Sequence, residues 1–153
     1  MTVQSTVLAN VESLHKLYRS TSIYVTGHGL GGAFAIIAAL DIKDFLQQGV
    51  DYVYTFGQPR VGNDALATYY SQNLPNTYRV INNADLVPHL PPTTAGYLHS
   101  STEVWYQNNM QTYTTCQGET PYCSNSVPTN AWSLNDNSLT NYLNLNVKSL
   151  NNE

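Results

Sequence analysis

The most constraining feature of the sequence is an apolar, β-branched segment, Ile23–Thr26, that runs directly into a glycine-rich turn. The segment is typical of a short buried strand, and a helix-forming segment begins at Leu30. Gly27 and Gly31 enclose a third glycine, Gly29, so the turn has no side chain at its centre. A strand, a tight turn and a helix form the first half of a βαβ unit, which predicts a parallel sheet.

The spacing of these glycines resembles the nucleophile elbow of the α/β-hydrolases, in which the pattern G-x-S-x-G lies between a strand and a helix. Gly27 and Gly31 match the outer glycines. His28 and Leu30 fill the variable positions. The central position, which carries the nucleophilic serine in that pattern, is Gly29. The sequence therefore combines the turn of a hydrolase with the loss of the hydroxyl that attacks the substrate.

Strand and helix patterns alternate along the first half of the chain. The predicted helices are 3–19, 30–48 and 64–74, and the predicted strands are 23–26, 50–56, 77–81 and 97–107. Gly49 is expected to end the second helix, and strand 97–107 is expected at an edge of the sheet. A last helix is expected over 139–150. This order predicts a single α/β domain over 1–153, with a mostly parallel sheet covered by helices on both faces.

Composition limits the partners and the cofactors. The chain of 153 residues has a net charge of −4 and no basic cluster that could hold a phosphate backbone, which argues against nucleic acid. The longest apolar stretch, 33–40, is too short for a transmembrane segment. The N-terminus lacks the basic start and the apolar core of a signal peptide. We expect no cofactor and no metal ion.

The two cysteines, Cys116 and Cys123, lie seven positions apart in a loop rich in Thr, Gly, Pro and Ser. Their surroundings do not have the spacing of zinc ligands, and the pattern favours a local disulfide, with two unpaired thiols as the alternative. A disulfide implies an oxidising compartment, whereas no export signal is visible. A chain cut at its N-terminus would reconcile these two observations.

Further segments complete a resemblance to the class 3 lipases, the family of fungal-type triacylglycerol lipases. They are Tyr-Val-Tyr-Thr-Phe-Gly-Gln-Pro-Arg-Val-Gly-Asn at 52–63, the segment 78–92 with Asn-Ala-Asp-Leu-Val-Pro-His, Gly-Tyr-Leu-His at 96–99 and Glu-Val-Trp-Tyr at 103–106. The resemblance runs from about Val11 to Leu143. It implies the C-terminal part of an α/β-hydrolase fold, a lipid or ester ligand, secretion, and a disulfide between Cys116 and Cys123.

The resemblance also assigns the three catalytic positions. The nucleophile falls on Gly29, the acid on Asp85 and the histidine on Asn137, in the chain order of the α/β-hydrolases. The backbone N–H of Leu30 is expected to be one donor of the oxyanion hole. Glycine has no oxygen to attack an ester carbonyl, and an asparagine amide cannot accept a proton near neutral pH. The chain is therefore expected to be a catalytically inactive member of a hydrolase family.

Several polar residues have a structural interpretation beside the functional one. Asp85 is expected either to be the acid of the triad, where a carboxylate orients and stabilises an imidazole, or, without an imidazole partner, to cap its own loop by accepting backbone hydrogen bonds. Asp136 is expected to be the N-cap of the last helix. Arg60 is expected to donate structural hydrogen bonds. The histidines of the matched region are expected to be structural and not catalytic: His28, His89 and His99.

The sequence before the elbow is short for this family. Only 26 residues precede Gly27, whereas a full class 3 domain has several strands, a second oxyanion donor and a lid there. We expect the first strands and the lid to be missing, which leaves the nucleophile strand with an exposed edge. The candidate functions are an inactive lipase homologue that binds a lipid or ester, a lipase by lineage alone, and an interaction module or fragment. In the last case the exposed edge would pair with a second copy or with a partner chain.

Overall fold

The chain is described over residues 2–18, 21–47, 49–108 and 110–142 by a computed structural model. Its α-helices are α1 (Val3–Leu17), α2 (Leu30–Leu46) and α3 (Asp64–Asn73). Its strands are β1 (Tyr24–His28), β2 (Tyr52–Phe56), β3 (Thr77–Asn82), β4 (Thr102–Gln107) and β5 (Thr112–Gln117). Short 3₁₀ turns, among them Val87–His89 and Asn135–Asn137, lie in the loops after β3 and β5.

The five strands form one sheet in which they follow each other in chain order. β1 to β4 are parallel, and β5 runs antiparallel to β4. The register places Tyr24 opposite Tyr52, and Tyr54 opposite Tyr78. The predicted fold class, a mostly parallel α/β sheet with helices, is confirmed.

Local sequence explains where the helices begin and how closely they pack. Asn63 caps α3, because its side chain accepts a hydrogen bond from the backbone N–H of Leu66 at 3.1 Å. α2 lies directly over β1, so close that a Cβ on Gly27 would stand 2.2 Å from the carbonyl oxygen of Gly31. The strand-to-helix turn therefore depends on glycine at position 27 for close packing.

The hydrophobic core lies between the sheet and the three α-helices. Its buried residues come from α2, β2, α3 and the loops beside them: Ile36, Ala39, Ile42, Val50, Val53, Tyr70 and Leu74. Leu8 and Val11 of α1 pack against this cluster, and so do Ile23 and Val25. α1, α2 and α3 therefore share one face of the sheet.

The opposite face of the sheet carries a row of tyrosines, because side chains alternate between the two faces along each strand. The rings of Tyr24 and Tyr52 stack with centroids 5.4 Å apart, and those of Tyr54 and Tyr78 with centroids 5.3 Å apart. Tyr52 and Tyr54 join the two pairs at 6.1 Å. Tyr24 is 62% exposed at the outer end of the row. Within the described part of the chain, the long helices all lie on the other face, which differs from the prediction of helices on both faces of the sheet.

The second half of the chain differs from its prediction in two places. β4 was expected at an edge of the sheet, and this expectation is wrong because β5 pairs along its full length. The segment Thr112–Gln117 has little apolar character and lies in a stretch that the sequence predicts as a loop, although threonine and tyrosine favour strands. The helix expected over 139–150 does not begin at its predicted start, since Leu139–Asn141 forms a single 3₁₀ turn and Tyr142 is extended. Residues 143–153 lie outside the described residues.

The end of α2 also differs from its prediction. Gly49 was expected to end the helix, but the last helical residue is Leu46. Gln47 follows in the left-handed conformation, with φ 53° and ψ 23°. A residue other than glycine thus takes the conformation for which glycine is preferred at helix ends.

Candidate active site

The predicted site residues meet where parallel strands end at the same edge of the sheet. Gly29 follows β1, Gly57 follows β2, and Asp85 lies in the loop after β3. The 3₁₀ turn Asn135–Asn137 supplies the fourth residue, Asn137. The carboxyl ends of the strands are the usual place for a binding site in an open α/β sheet.

The turn at Gly29 is hydrogen-bonded on both sides. Its N–H donates to the carbonyl of Phe56 at 2.8 Å, and its own carbonyl accepts from Gly32 at 2.9 Å. Its φ of 55° and ψ of −127° lie in a region that glycine adopts readily and other residues rarely. A Cβ at this position would enter nearly open space, with the nearest atom, Asn137 Oδ1, at 3.6 Å. The N–H of Leu30 makes no hydrogen bond within the described residues.

Asp85 is fully buried at the centre of the site. Its Oδ2 accepts hydrogen bonds from Asn137 Nδ2 at 2.7 Å and from the hydroxyl of Tyr142. Its Oδ1 accepts from the N–H of Val87 at 2.9 Å. The carboxylate thus orients the side chain at position 137 and also caps its own loop. Burial raises the pKa of Asp85, and the hydrogen bonds from Tyr142, Asn137 and Val87 lower it only in part.

Asn137 lies between the buried carboxylate and the elbow. Its Nδ2 faces Asp85 and also donates to the carbonyl of Gly57 at 3.3 Å, while its Oδ1 faces Gly29. Its backbone carbonyl lies 2.6 Å from Nε2 of His28. A residue that takes the proton of a nucleophile while an acid orients it must contact both of them. The side chain of Asn137 lies between Gly29 and Asp85 in this way, although its amide cannot accept the proton.

Two residues of the site were missed by sequence reasoning. Gly57 has a φ of 57°, and a Cβ there would lie 2.3 Å from Asn137 Nδ2 and 2.7 Å from Asp85 Oδ2. Only glycine at position 57 leaves room for the side chains of Asn137 and Asp85. The signal in the sequence for this requirement is a glycine directly after a buried strand. Tyr142 is 1% exposed and packs edge-on against His28, with ring centroids 5.6 Å apart. Burial and the neighbouring Asp85 raise the pKa of Tyr142.

The two loops that carry the acid and the amide are joined by backbone hydrogen bonds. Ser133 donates to the carbonyl of Ala84 at 2.8 Å and accepts from Leu86 at 3.2 Å. Asp136 Oδ2 accepts from the N–H of Ala84 at 3.1 Å. The prediction that Asp136 caps a helix is therefore wrong, because its carboxylate holds the loop of Asp85 instead.

The other histidines are held by structural contacts. The ring of His89 lies flat on that of Trp132, with centroids 4.2 Å apart and planes 2° apart. Nε2 of His99 lies 2.7 Å from the carbonyl oxygen of Pro88. Burial is the main cause that lowers the pKa of both imidazoles. Neither ring is hydrogen-bonded to Asp85 in the described structure.

Arg60 anchors the loop that the disulfide closes. The bond between Cys116 and Cys123 is present, with the Cα atoms 6.3 Å apart, which confirms the predicted disulfide. Within this loop, Glu119 accepts two hydrogen bonds from Arg60, at 2.9 and 2.7 Å. Burial raises the pKa of Glu119, but Arg60 and the N–H of His99 outweigh it and bring the pKa to about 2. Arg60 is a structural donor, as its position in the turn suggested.

Over 2–18, 21–47, 49–108 and 110–142, no three His, Cys, Asp or Glu side chains stand close enough together to hold a metal ion. None of the helices in these ranges has the length and apolar character that a membrane crossing requires.

Comparisons with known sequences point to one family. A profile described as Lipase (class 3) matches residues 1–95. The chain is 42% identical over 132 residues to a lipase of Rhizomucor miehei, which covers 82% of this chain and 36% of the relative. It is 36% identical over 145 residues to Lipase ZK262.3 of Caenorhabditis elegans, which covers 74% of this chain and 41% of the relative.

Solved structures agree with the sequence comparisons. The triacylglyceride lipase of Rhizomucor miehei superposes with a TM-score of 0.81 at 39% identity, over 88% of this chain and 53% of that chain. A triacylglycerol lipase whose catalytic centre is described as a serine protease triad superposes with a TM-score of 0.82 at 40% identity, with the same coverage. The chain thus spans about half of these solved chains and well under half of the sequence relatives. The chain belongs to the class 3 lipase family.

Proposed function

We propose that the chain is a lipase-like protein of lipid metabolism that does not hydrolyse esters. The observation that carries this proposal is the composition of the site. The buried carboxylate and its loops are in place, but the two positions that need a hydroxyl and an imidazole carry Gly29 and Asn137. Family membership supports the lipid-related role, and the site chemistry supports the loss of activity.

The chemical argument concerns both missing groups. Without an oxygen on Gly29, no acyl-enzyme can form. The amide of Asn137 donates a hydrogen bond to Asp85, so it resembles an imidazole only in that contact. Members of a catalytic triad act as a unit, and the loss of one already removes most of the rate. The free N–H of Leu30 remains as a donor to a bound carbonyl oxygen.

We also propose that the 153 residues form one partial class 3 domain that retains a lipid or ester ligand. The outer face of α2 supports this, because three apolar side chains after the elbow are largely exposed: Leu30 at 66%, Phe34 at 63% and Ile37 at 47%. A groove of about 560 Å³ between α1 and α2 continues this surface, and Val3 and Val7 line its other side. An apolar acyl chain matches the character of this lining.

An ester-hydrolysis assay with restored residues tests the proposal. We expect the native chain, Gly29→Ser and Asn137→His to hydrolyse p-nitrophenyl esters no faster than buffer. The double variant should exceed them by about 100-fold or more, because an imidazole at 137 reaches both the elbow and Asp85. Asp85→Asn in the double variant is the matched control and should remove most of this gain.

Turnover by the native chain that disappears in Asp85→Ala would contradict the proposal, because it would show a working active site. A double variant that is folded but no faster than buffer would contradict the explanation that Gly29 and Asn137 alone account for the inactivity.

A second function, as an interaction module, is favoured by the position of β1 at an edge of the sheet. An edge strand offers unpaired backbone groups to another chain. Light scattering over a range of concentrations tests self-pairing. A mass that grows with concentration supports pairing between copies, and a constant monomer mass leaves pairing with a different chain.

A further inference from the structure

The side-chain amide of Asn137 is held in one orientation. Its Nδ2 donates to Asp85 Oδ2 at 2.7 Å and to the carbonyl of Gly57 at 3.3 Å. Both partners are acceptors, so the nitrogen of the amide must face them and the oxygen must face the other way. The backbone carbonyl of Asn137 also lies 2.6 Å from Nε2 of His28, which holds the turn itself. Oδ1 of Asn137 is therefore an acceptor whose direction is set before any ligand arrives.

This acceptor faces an unfilled recess at the elbow. Gly29 is buried, yet a Cβ built on it would meet only Asn137 Oδ1, at 3.6 Å. None of the described residues donates a hydrogen bond to this oxygen. The N–H of Leu30, the residue after Gly29, likewise has no acceptor among them. The recess thus has one unused acceptor and one unused donor beside it.

We propose that the recess takes the head group of a long-chain carboxamide. The carbonyl of the ligand accepts from the N–H of Leu30, and its N–H donates to Oδ1 of Asn137. A carboxamide carries this acceptor and this donor on adjacent atoms. The inference rests on the proposed lipid ligand of the site and names its chemical class. Because Gly29 has no hydroxyl to donate to Asn137, the ligand itself must supply the hydrogen.

Other lipid head groups match the recess less well. An ester has only acceptor oxygens, so it would cover Oδ1 of Asn137 and leave it without a donor. An acceptor that loses water and gains no donor weakens binding. A fatty acid is almost wholly ionised at pH 7, and its carboxylate has no hydrogen to donate either. Its charge would moreover face the negative end of the Asn137 amide dipole.

Apolar side chains beside the recess provide a surface for the alkyl chain. Leu30 and Phe34 follow Gly29 in α2, one helical turn apart, and both are largely exposed. Leu134 and Leu139 flank Asn137 along the chain and are also exposed. An alkyl chain attached to the bound carboxamide would shield such side chains from water. The ligand class therefore combines a donor and acceptor head with a long apolar tail.

Binding of four matched lipids to the native chain tests the proposal. Octanamide, N,N-dimethyloctanamide, methyl octanoate and octanoate have the same acyl chain, and only octanamide has an N–H. NMR titration at pH 7 gives the dissociation constant of each lipid. We expect octanamide to bind about tenfold or more tightly than the other three. The amide proton of Leu30 should shift as octanamide binds, because its hydrogen bond to the ligand is new.

Two asparagine variants locate the acceptor. Asn137→Ala removes Oδ1, so octanamide and N,N-dimethyloctanamide should bind it with equal affinity. Asp85 keeps its hydrogen bonds from Tyr142 and Val87 in this variant, which supports the loop. Asn135→Ala is the matched control, because Asn135 is an exposed asparagine of the same 3₁₀ turn. This control should keep the tenfold preference of the native chain. If Asn137→Ala does not fold, the comparison of lipids on the native chain still decides.

Four results would overturn the proposal. They are equal binding of octanamide and N,N-dimethyloctanamide to the native chain, tightest binding of octanoate, an equal loss of preference in both variants, and shifts that exclude Leu30. Saturable binding of none of the four lipids would remove the proposed lipid ligand and this inference with it. Each titrated sample is also analysed for octanoate released from the ester. Release of octanoate would contradict the proposed inactivity, whereas equal binding without release overturns only the carboxamide as ligand.

Discussion

The substitution Gly29→Ser measures how strongly the elbow depends on glycine. The backbone at position 29 has φ 55° and ψ −127°, and holding a residue other than glycine there costs about 1–3 kcal/mol. The new Cβ meets only Asn137 Oδ1, at the ordinary contact distance of 3.6 Å, so little steric cost is added. We expect Gly29→Ser and Gly29→Ala to lower the free energy of unfolding by the same amount, about 1–3 kcal/mol.

Substitutions at two other glycines are the comparison variants for this measurement. Gly57→Ala combines a φ of 57° with a Cβ placed 2.3 Å from Asn137 Nδ2, and it should cost about 3 kcal/mol or more. Gly31 is exposed in α2, and a Cβ there would meet nothing within 4 Å. Gly31→Ala should therefore raise the free energy of unfolding by about 0.5–1 kcal/mol.

Urea-induced unfolding at pH 7, followed by far-ultraviolet circular dichroism, measures all four variants. The slope of the unfolding free energy against urea concentration must be the same in each variant, so that a shift of the midpoint reports a change in stability alone. The reasoning is refuted if Gly29→Ser is as stable as the native chain while Gly31→Ala behaves as expected. That result would mean that the turn does not hold position 29 at positive φ.

Two further predictions concern the loop closed by the disulfide. Replacing Cys116 and Cys123 with serine should lower the free energy of unfolding by about 2–3 kcal/mol, since the bond closes a short loop. Thermal unfolding without reductant checks this, and an unchanged midpoint would contradict it. The pKa of Glu119 falls from 4.5 to about 2 on folding. The ionised side chain therefore stabilises the folded state above pH 4.5, and this stabilisation is lost as the pH falls toward 2. With allowance for solvent screening, we expect a loss on the order of 1 kcal/mol between pH 5 and pH 3 that Glu119→Gln abolishes, measured by urea unfolding at these two pH values.

The first half of the fold could be predicted from the sequence because its elements have strong local patterns. β1 and β2 are short apolar runs, and α2 is apolar on nearly all sides, as expected of a helix packed on a sheet. The glycines of the elbow mark the boundary between strand and helix. These features depend on residues that are close together along the chain, so they can be located from a single sequence.

The rest of the fold depends on contacts between distant residues. β5 forms because β4 offers it a partner, and the threonine-rich segment Thr112–Gln117 has little apolar character of its own. The segment after Leu139 has apolar residues at helical spacing, but Tyr142 is drawn into the site by Asp85 and ends the turn in an extended conformation. Tertiary contacts here override a local preference for helix.

The residues of the candidate site could be named from the sequence, but their arrangement could not. The resemblance pointed to Gly29, Asp85 and Asn137 and gave no account of what surrounds them. The requirement for glycine at position 57 comes from side chains that are 28 and 80 residues away along the chain, those of Asp85 and Asn137. The hydroxyl of Tyr142 on Asp85 likewise joins residues that only the fold brings together.

The hydrogen bonds that tie Ser133 to Ala84 and Leu86 have a consequence for motion. The loop of Asp85 and the turn of Asn137 cannot separate unless this short ladder breaks, so they should open together as one cooperative unit. The amides of Leu86 and Ser133 then share one opening free energy, although 46 residues of chain lie between them. The geometry of the site is thus maintained by backbone bonds that do not depend on which residues occupy positions 29 and 137.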